Sequence, residues 1–324
     1  MKTKQLEMQP VLLNNTSRTN IDRIAYIDIA KAIGIILMVV GHCIPYDSFA
    51  NKYIYYFHMP LFFILSGICF DFNKYKDASV FLRKKVKQIL FPFIVFFVLF
   101  LLFCLIFDKG YELKSFTYRA PYTLWFLLVL FLANIIYYGF CTVTYKITNR
   151  IIGILCLFAI SSILNLTNID LPYSLSTVCS AAAFLGVGNL YREYFYYIKL
   201  PIGLACLIIL GVITLIFDER YSMQSNNLGG FLYGYIPCFI GSIGIISLSQ
   251  FIEKFKCSGL TYIGRNSLII MLFHFPLLIL SLLYLKPLIQ NHLVYKGLEF
   301  FIIIILSLII GEFIKKRCPS ILGK

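Results

Sequence analysis

One feature limits this chain more than any other. Along nearly its whole length, runs of about 17 to 25 mostly apolar residues follow one another, separated by short polar or proline-containing breaks. Wound as a helix, each run rises about 1.5 Å per residue and so covers a hydrocarbon core of about 30 Å. Ten such runs are read, at residues 24–45, 53–72, 88–107, 123–142, 150–166, 173–191, 198–217, 229–250, 264–285 and 297–314. In lipid, backbone N–H and C=O groups must be satisfied within the segment, so runs of this length become helices. The expected fold is therefore all-α: a polytopic membrane helix bundle of about ten transmembrane helices. Composition agrees, since 60% of the 324 residues are hydrophobic and 14% are charged, which no ordinary soluble domain shows.

Nothing between the runs is long enough for a second domain, and no internal repeat or linker is visible. The expected organisation is an N-terminal tail at 1–23, a membrane domain at 24–314 and a C-terminal tail at 315–324. The first 23 residues are polar and lack the apolar core and small-residue cleavage site of a secretory signal. The ten cysteines include no CxxC pair and mostly fall in or near apolar runs, so they read as small buried hydrophobes rather than a disulfide framework.

A net charge of +14 invites a nucleic-acid reading, but the position of the charge argues against it. With the N-terminus inside, the outer loops hold only Lys52, Lys109, Lys114, Arg119, Arg220, Lys286 and Lys296; apart from Lys31, the rest of the 29 Lys and Arg lie on the inner side. That asymmetry is the positive-inside signature, with both termini cytosolic. The basic residues report topology, and the partner they imply is a lipid bilayer, with no nucleic acid. The outer loops at 108–122 and 218–228 mix charge, Tyr, Ser and Asn; they suit either plain solvation or a polar external ligand.

Within the first run stand three groups that lipid does not tolerate, Asp28, Lys31 and His42. At about 100° per residue, Lys31 and His42 point roughly the same way and Asp28 only about 60° off that line. His42 lies about three residues, roughly 5 Å, from the outer end of its run. Ionisable residues gathered on one face of a membrane helix mark a functional stripe.

These residues belong to a wider set: Asp28-Ile-Ala-Lys31 with Val40-Gly41-His42, then Phe57-His58-Met59-Pro60 with Ser66-Gly67, then Leu124-Trp125-Phe126, then Gly264-Arg265-Asn266-Ser267 with Phe273-His274-Phe275-Pro276. In this order and spacing the chain closely resembles the acyltransferase-3 family of bacterial membrane O-acyltransferases, and within it the fucose O-acetylase-like members. The resemblance implies transfer of an acyl group, usually acetyl, from acetyl-CoA as co-substrate to a hydroxyl of an extracytoplasmic or lipid-linked glycan. It also implies a multi-pass protein of the bacterial cytoplasmic membrane, with no permanently bound cofactor. The family's pattern of a basic residue, a ten-residue gap and a histidine falls on Lys31 and His42, with Lys in place of the commoner Arg. Its Arg-x-x-Arg pair before a proline aligns best with Lys85 and Gln88, a departure.

For that reaction His42 is the expected base or acyl relay, because imidazole takes a proton near neutrality. Asp28 and Lys31, three apart, are expected to pair or to orient the site. Arg83, Lys84, Lys85 and Lys87 are expected to hold the acyl-CoA nucleotide from the cytosol. His58 either orients His42, binds the acceptor or, with Pro60, simply shapes the start of its helix. His274 is expected to face inward. Ser66, beside Gly67, suits close helix packing rather than nucleophilic attack and, with Asn266, is carried among the supporting residues. Trp125 either anchors its helix at the boundary or stacks on a sugar. A metal site has little support, since four histidines show no HxxxH or HxH spacing. The rival from another class is a transporter or flippase in which Asp28, Lys31 and the histidines relay protons or substrate, although no inverted repeat is visible.

Overall fold

The computed structural model describes residues 24–75, 77–107, 118, 120, 123–227 and 234–323. The tail at 1–23 and nearly all of the loop at 108–122 lie outside the described residues. Among those described, the chain is helical, and the only β-pairing is an isolated bridge between Ser222 and Asn227. The helices are α1 (Ala25–Cys43), α2 (Phe49–Ile68), α3 (Ala78–Lys85), α4 (Phe91–Phe107), α5 (Trp125–Val143), α6 (Ile147–Leu166), α7 (Val178–Leu190), α8 (Arg192–Tyr196), α9 (Leu200–Phe217), α10 (Ile236–Glu253), α11 (Ser258–Arg265), α12 (Ser267–Leu280) and α13 (His292–Arg317). Nine helical stretches among the described residues are long and apolar enough to cross a membrane. The chain is a multi-pass membrane protein.

The one expected span outside those nine, α2, is 20 residues long but carries Asn51, Lys52 and His58. It tolerates them because other helices, not lipid, surround it: α1, α7 and α10 pack against it and most of its residues are buried. The gradient runs outward from there. In α1 67% of the apolar window is buried inside the protein, against 17% in α9, which shows lipid a face of Ile202, Ile208, Leu215 and Ile216. Polar groups concentrate where lipid is absent.

Glycine makes the central crossings tight. A Cβ on Gly67 of α2 would sit 1.9 Å from the Leu185 carbonyl oxygen of α7, and one on Gly188 of α7 would sit 2.1 Å from that of Ile64. The two backbones touch, as small residues permit between membrane helices. Gly264 of α11 meets α1 in the same way, 1.7 Å from the Asp28 carbonyl oxygen.

The third crossing begins ten residues earlier than its apolar run suggests. Asp77 caps α3 by accepting the Ser79 N–H at 2.8 Å, and a π-helical turn, Val86–Leu90, joins α3 to α4. Pro92 explains that turn, since it offers no N–H to the carbonyl four residues back and the ladder widens around it. At the other end of the chain, α13 runs to Arg317 and a 3-10 turn, Pro319–Leu322, folds back so that Leu322 is buried and Gly323 lies on the Lys87–Gln88 backbone. All ten cysteines are free; Cys43, Cys104, Cys141 and Cys238 are buried, whereas Cys69, Cys156 and Cys318 are exposed, which corrects the uniform expectation.

Candidate functional site

Because α1 is one unbroken helix, the eleven-residue spacing of Lys31 and His42 becomes a single face, about 16 Å apart along the axis. That face fronts three cavities in file. An outer cleft of about 460 Å³ is lined by His42, Tyr46, Asn51, Tyr55, Asp170 and Arg220, among others. A small chamber of about 80 Å³ follows, lined by His42, His58, Trp125 and Met271. A largely apolar inner cavity of about 250 Å³ reaches Lys31, Ser66, Cys69, Gln88 and Ser267. His42, Tyr55, Ser222 and Gln224 line both the cleft and the chamber. Met38, Met59, Phe126 and Met271 line both the chamber and the inner cavity. His42 thus stands where the outer two spaces join.

Three imidazoles meet there. The rings of His42 and His274 are 5.2 Å apart, and Tyr55 lies between His42 and His58, 6.1 Å from the first and 4.7 Å from the second. His58 Nδ1 is 2.9 Å from the Ile54 carbonyl oxygen, and His274 Nδ1 is 2.8 Å from that of Met271. A carbonyl only accepts, so both Nδ1 atoms carry the hydrogen and the lone pair of each neutral ring sits on Nε2. His274 Nε2 is buried and has no hydrogen-bond partner among the described residues. An unsatisfied acceptor beside His42 is a costly thing to bury, and it is suited to receive an imidazole N–H. Phe275, 5.8 Å from the His42 ring, closes the apolar side.

The outer cleft is built by the turn after α9. Tyr221 stacks on Tyr56 at 4.4 Å, Lys52 pairs with Asp218, and Asn226 exchanges hydrogen bonds with Ser161. Arg220 Nε donates to Asn51 Oδ1 at 2.8 Å, and Asn51 Nδ2 donates to the Gly41 carbonyl at 2.6 Å, one residue before His42. The roof of the site is thereby tied to the end of α1.

A second polar network joins α12 and α13. Glu299 of α13, 1% exposed, accepts from the Tyr295 hydroxyl at 2.6 Å, from Lys296 at 2.7 Å and from Ser281 at 3.1 Å. It is a satisfied clamp between α13 and the end of α12.

Several expected residues fall elsewhere. Asp28 does not join the His42 site; its carboxylate meets Arg265 Nε at 3.1 Å, because its 60° offset from Lys31 turns it toward α11, which Gly264 lets come into contact. Lys31 instead lines the inner cavity, with no ion pair among the described residues. Asn266, expected to bind the acceptor or support the site, is at the inner end, where it bonds the Tyr262 carbonyl and Lys315. Ser66 lines the inner cavity while its neighbour Gly67 makes the helix contact. Of the basic run, the Lys84 and Lys85 ammonium groups lie over the Tyr75 and Phe81 rings, Arg83 and Lys87 are exposed, and it is Gln88 that lines the inner cavity. Trp125 is 5% exposed and faces the chamber, so it is no boundary anchor.

Residues that the sequence reading missed are Asn51, Tyr55, Met271 and Gln224, together with Arg220, which had counted only as an outer-loop charge. Among the described residues no group of His, Cys, Asp and Glu has the arrangement of a metal site. No curated protein and no solved structure matches the chain. A family model described as an acyltransferase domain matches residues 24–315. The match takes in every element that builds the three cavities, and on that extent the chain belongs to the acyltransferase-3 family.

Proposed function

We propose that this acyltransferase moves an acyl group, acetyl in the simplest case, from cytosolic acyl-CoA to a hydroxyl of an extracytoplasmic or lipid-linked glycan in a bacterial cytoplasmic membrane. One observation carries the reading: the cavities share lining residues in pairs, so a donor arm entering past Lys31 and Gln88 and an acceptor entering past Arg220 converge on His42. The inner cavity is largely apolar, which suits an acyl chain, while Ser66, Gln88 and Ser267 on its wall can bond the amides of a pantetheine arm and Lys31 supplies a cation.

In the reaction the acceptor oxygen attacks the thioester carbonyl carbon as His42 takes the hydroxyl proton. The new C–O bond forms, the tetrahedral intermediate collapses, the C–S bond breaks, and the CoA thiolate recovers a proton. His274 Nε2 receives the other His42 N–H and so presents the lone pair of His42 to the acceptor. The narrow chamber keeps water away from the thioester.

Purified protein given radiolabelled acetyl-CoA and glycan places label in the glycan under this scheme. His42→Ala lowers that transfer by about 10²–10⁴-fold while insertion and unfolding temperature stay unchanged. Undiminished transfer by that variant excludes His42 as the base, and glycan translocation without label transfer favours a flippase.

A further inference from the structure

The outer cleft contains a cation whose setting says more about the acceptor than the reaction does. Arg220 Cζ lies 3.4 Å from the Tyr46 ring centroid and 3.7 Å from that of Tyr55. Two rings cannot both cover one face of a guanidinium at such distances, so they take opposite faces and the group is held flat between them. Its Nε is spent on Asn51, and Asn51 is fixed to the carbonyl of Gly41. Three contacts therefore immobilise the guanidinium and leave its Nη edge as the remaining donor surface. Arg220 forms no ion pair among the described residues, although the neighbouring Asp218 is engaged by Lys52.

An arginine held rigid on both faces, without a carboxylate, in a polar cleft that ends at a candidate catalytic imidazole is a receptor for a planar or tetrahedral oxyanion. Resting on the glycan-acyltransferase reading, we propose that the acceptor is acidic: a sugar carrying a carboxylate or phosphate group, bound bidentately by Arg220 so that a hydroxyl of the same or adjacent residue meets His42. The rest of the lining fits a sugar. Ser174, Ser222 and Gln224 offer neutral hydrogen bonds, and Asp170, the one carboxylate of the cleft among the described residues, is an acceptor for sugar hydroxyls. Tyr46, 65% exposed, extends the stacking surface to the rim.

The test measures binding and transfer separately on full-length protein in lipid nanodiscs. The probes are a glucuronate-containing tetrasaccharide, the same tetrasaccharide with its carboxyls reduced, and a glycerol-phosphate-linked tetrasaccharide. Equilibrium binding is followed by the fluorescence of Trp125, the chain's one tryptophan, which faces the adjacent chamber. The expected result is that at least one charged probe binds about tenfold or more tightly than the reduced one, and that Arg220→Gln removes this preference. Which charged probe wins distinguishes a uronate acceptor from a phosphate-linked one. Arg220→Lys keeps the charge without the fork and retains only part of the preference. Equal binding of charged and neutral probes, no binding of any, or a preference that survives Arg220→Gln overturns the proposal. An Arg220-dependent preference with no transfer from acetyl-CoA upholds the acidic ligand and overturns the acyl-transfer reading instead.

Discussion

Two glycines on one short helix should respond to the same substitution with opposite signs. In α11, a Cβ on Gly264 would lie 1.7 Å from the Asp28 carbonyl oxygen and 2.6 Å from the carbonyl carbon, where ordinary contact starts near 3.4 Å. Gly264→Ala thus forces α11 off α1 by about 1.7 Å, the difference between those distances. Backbone stands on both sides, so no side chain can yield. Overpacking of this kind costs about 1–3 kcal/mol, and drawing Arg265 away from the buried Asp28 carboxylate adds to it. Gly259, on the same helix, has nothing within 4 Å, and there alanine is favoured by about 0.5–1 kcal/mol through helix propensity alone. Thermal unfolding at one fixed scan rate in one detergent compares them. At about 2 °C per kcal/mol for a chain of this size, Gly264→Ala should melt about 2–6 °C below the parent and Gly259→Ala level with it or about 1–2 °C above. If Gly264→Ala melts with the parent, the contact between α1 and α11 is not as close as argued. Equal losses at both positions would mean that α11 resists alanine for a reason other than packing.

Further expectations concern the passage and the inner surface. Met271→Trp, which fills the neck between the chamber and the inner cavity, should abolish acyl transfer while leaving acceptor binding in the outer cleft within about twofold, checked by label transfer and by titration calorimetry, because a second tryptophan would overlay the Trp125 signal; unchanged transfer would mean the donor takes another route. His274→Ala should depress kcat with little change in KM, since His274 acts on His42 rather than on a substrate; a rise in KM alone would assign it to binding. The Asp77 carboxylate is held below its usual range by the Ser79 N–H and hydroxyl that it accepts. Its capping of α3 is therefore fully present above a pH of about 4 and is lost as pH falls through the lowered value. Limited proteolysis of α3 should increase on acidification in that window, and Asp77→Asn should flatten the response.

What the sequence made legible was periodic. Span positions, the shared face of Lys31 and His42, and the inward turn of His274 all follow from a helix repeat acting on costly polar groups in lipid. What it hid depends on contacts between distant segments. Asp28 stands three residues from Lys31, yet its fate was set by Gly264, more than two hundred residues away, because only a glycine there lets an arginine reach it. Arg220 looked like one loop charge among several, since nothing local announces that Tyr46 and Tyr55 will close on it. The basic run before Pro92 drew attention by its charge, whereas the π-helical turn brings uncharged Gln88 to the cavity wall.

The methionine and phenylalanine neck has a bearing on the energetics of the cell as well as on catalysis. Under the proposed scheme the donor and acceptor paths together span the bilayer, and such a path is also a route for protons, which histidines on one side and a lysine on the other would shuttle if water threaded the gap. Met38, Met59, Phe126 and Met271 put flexible, water-repelling side chains where the chamber and the inner cavity adjoin, and under that scheme these would part around an acyl chain and close behind it. Trimming these side chains to alanine would therefore first appear as a leak in the membrane potential, before any loss of esterified product.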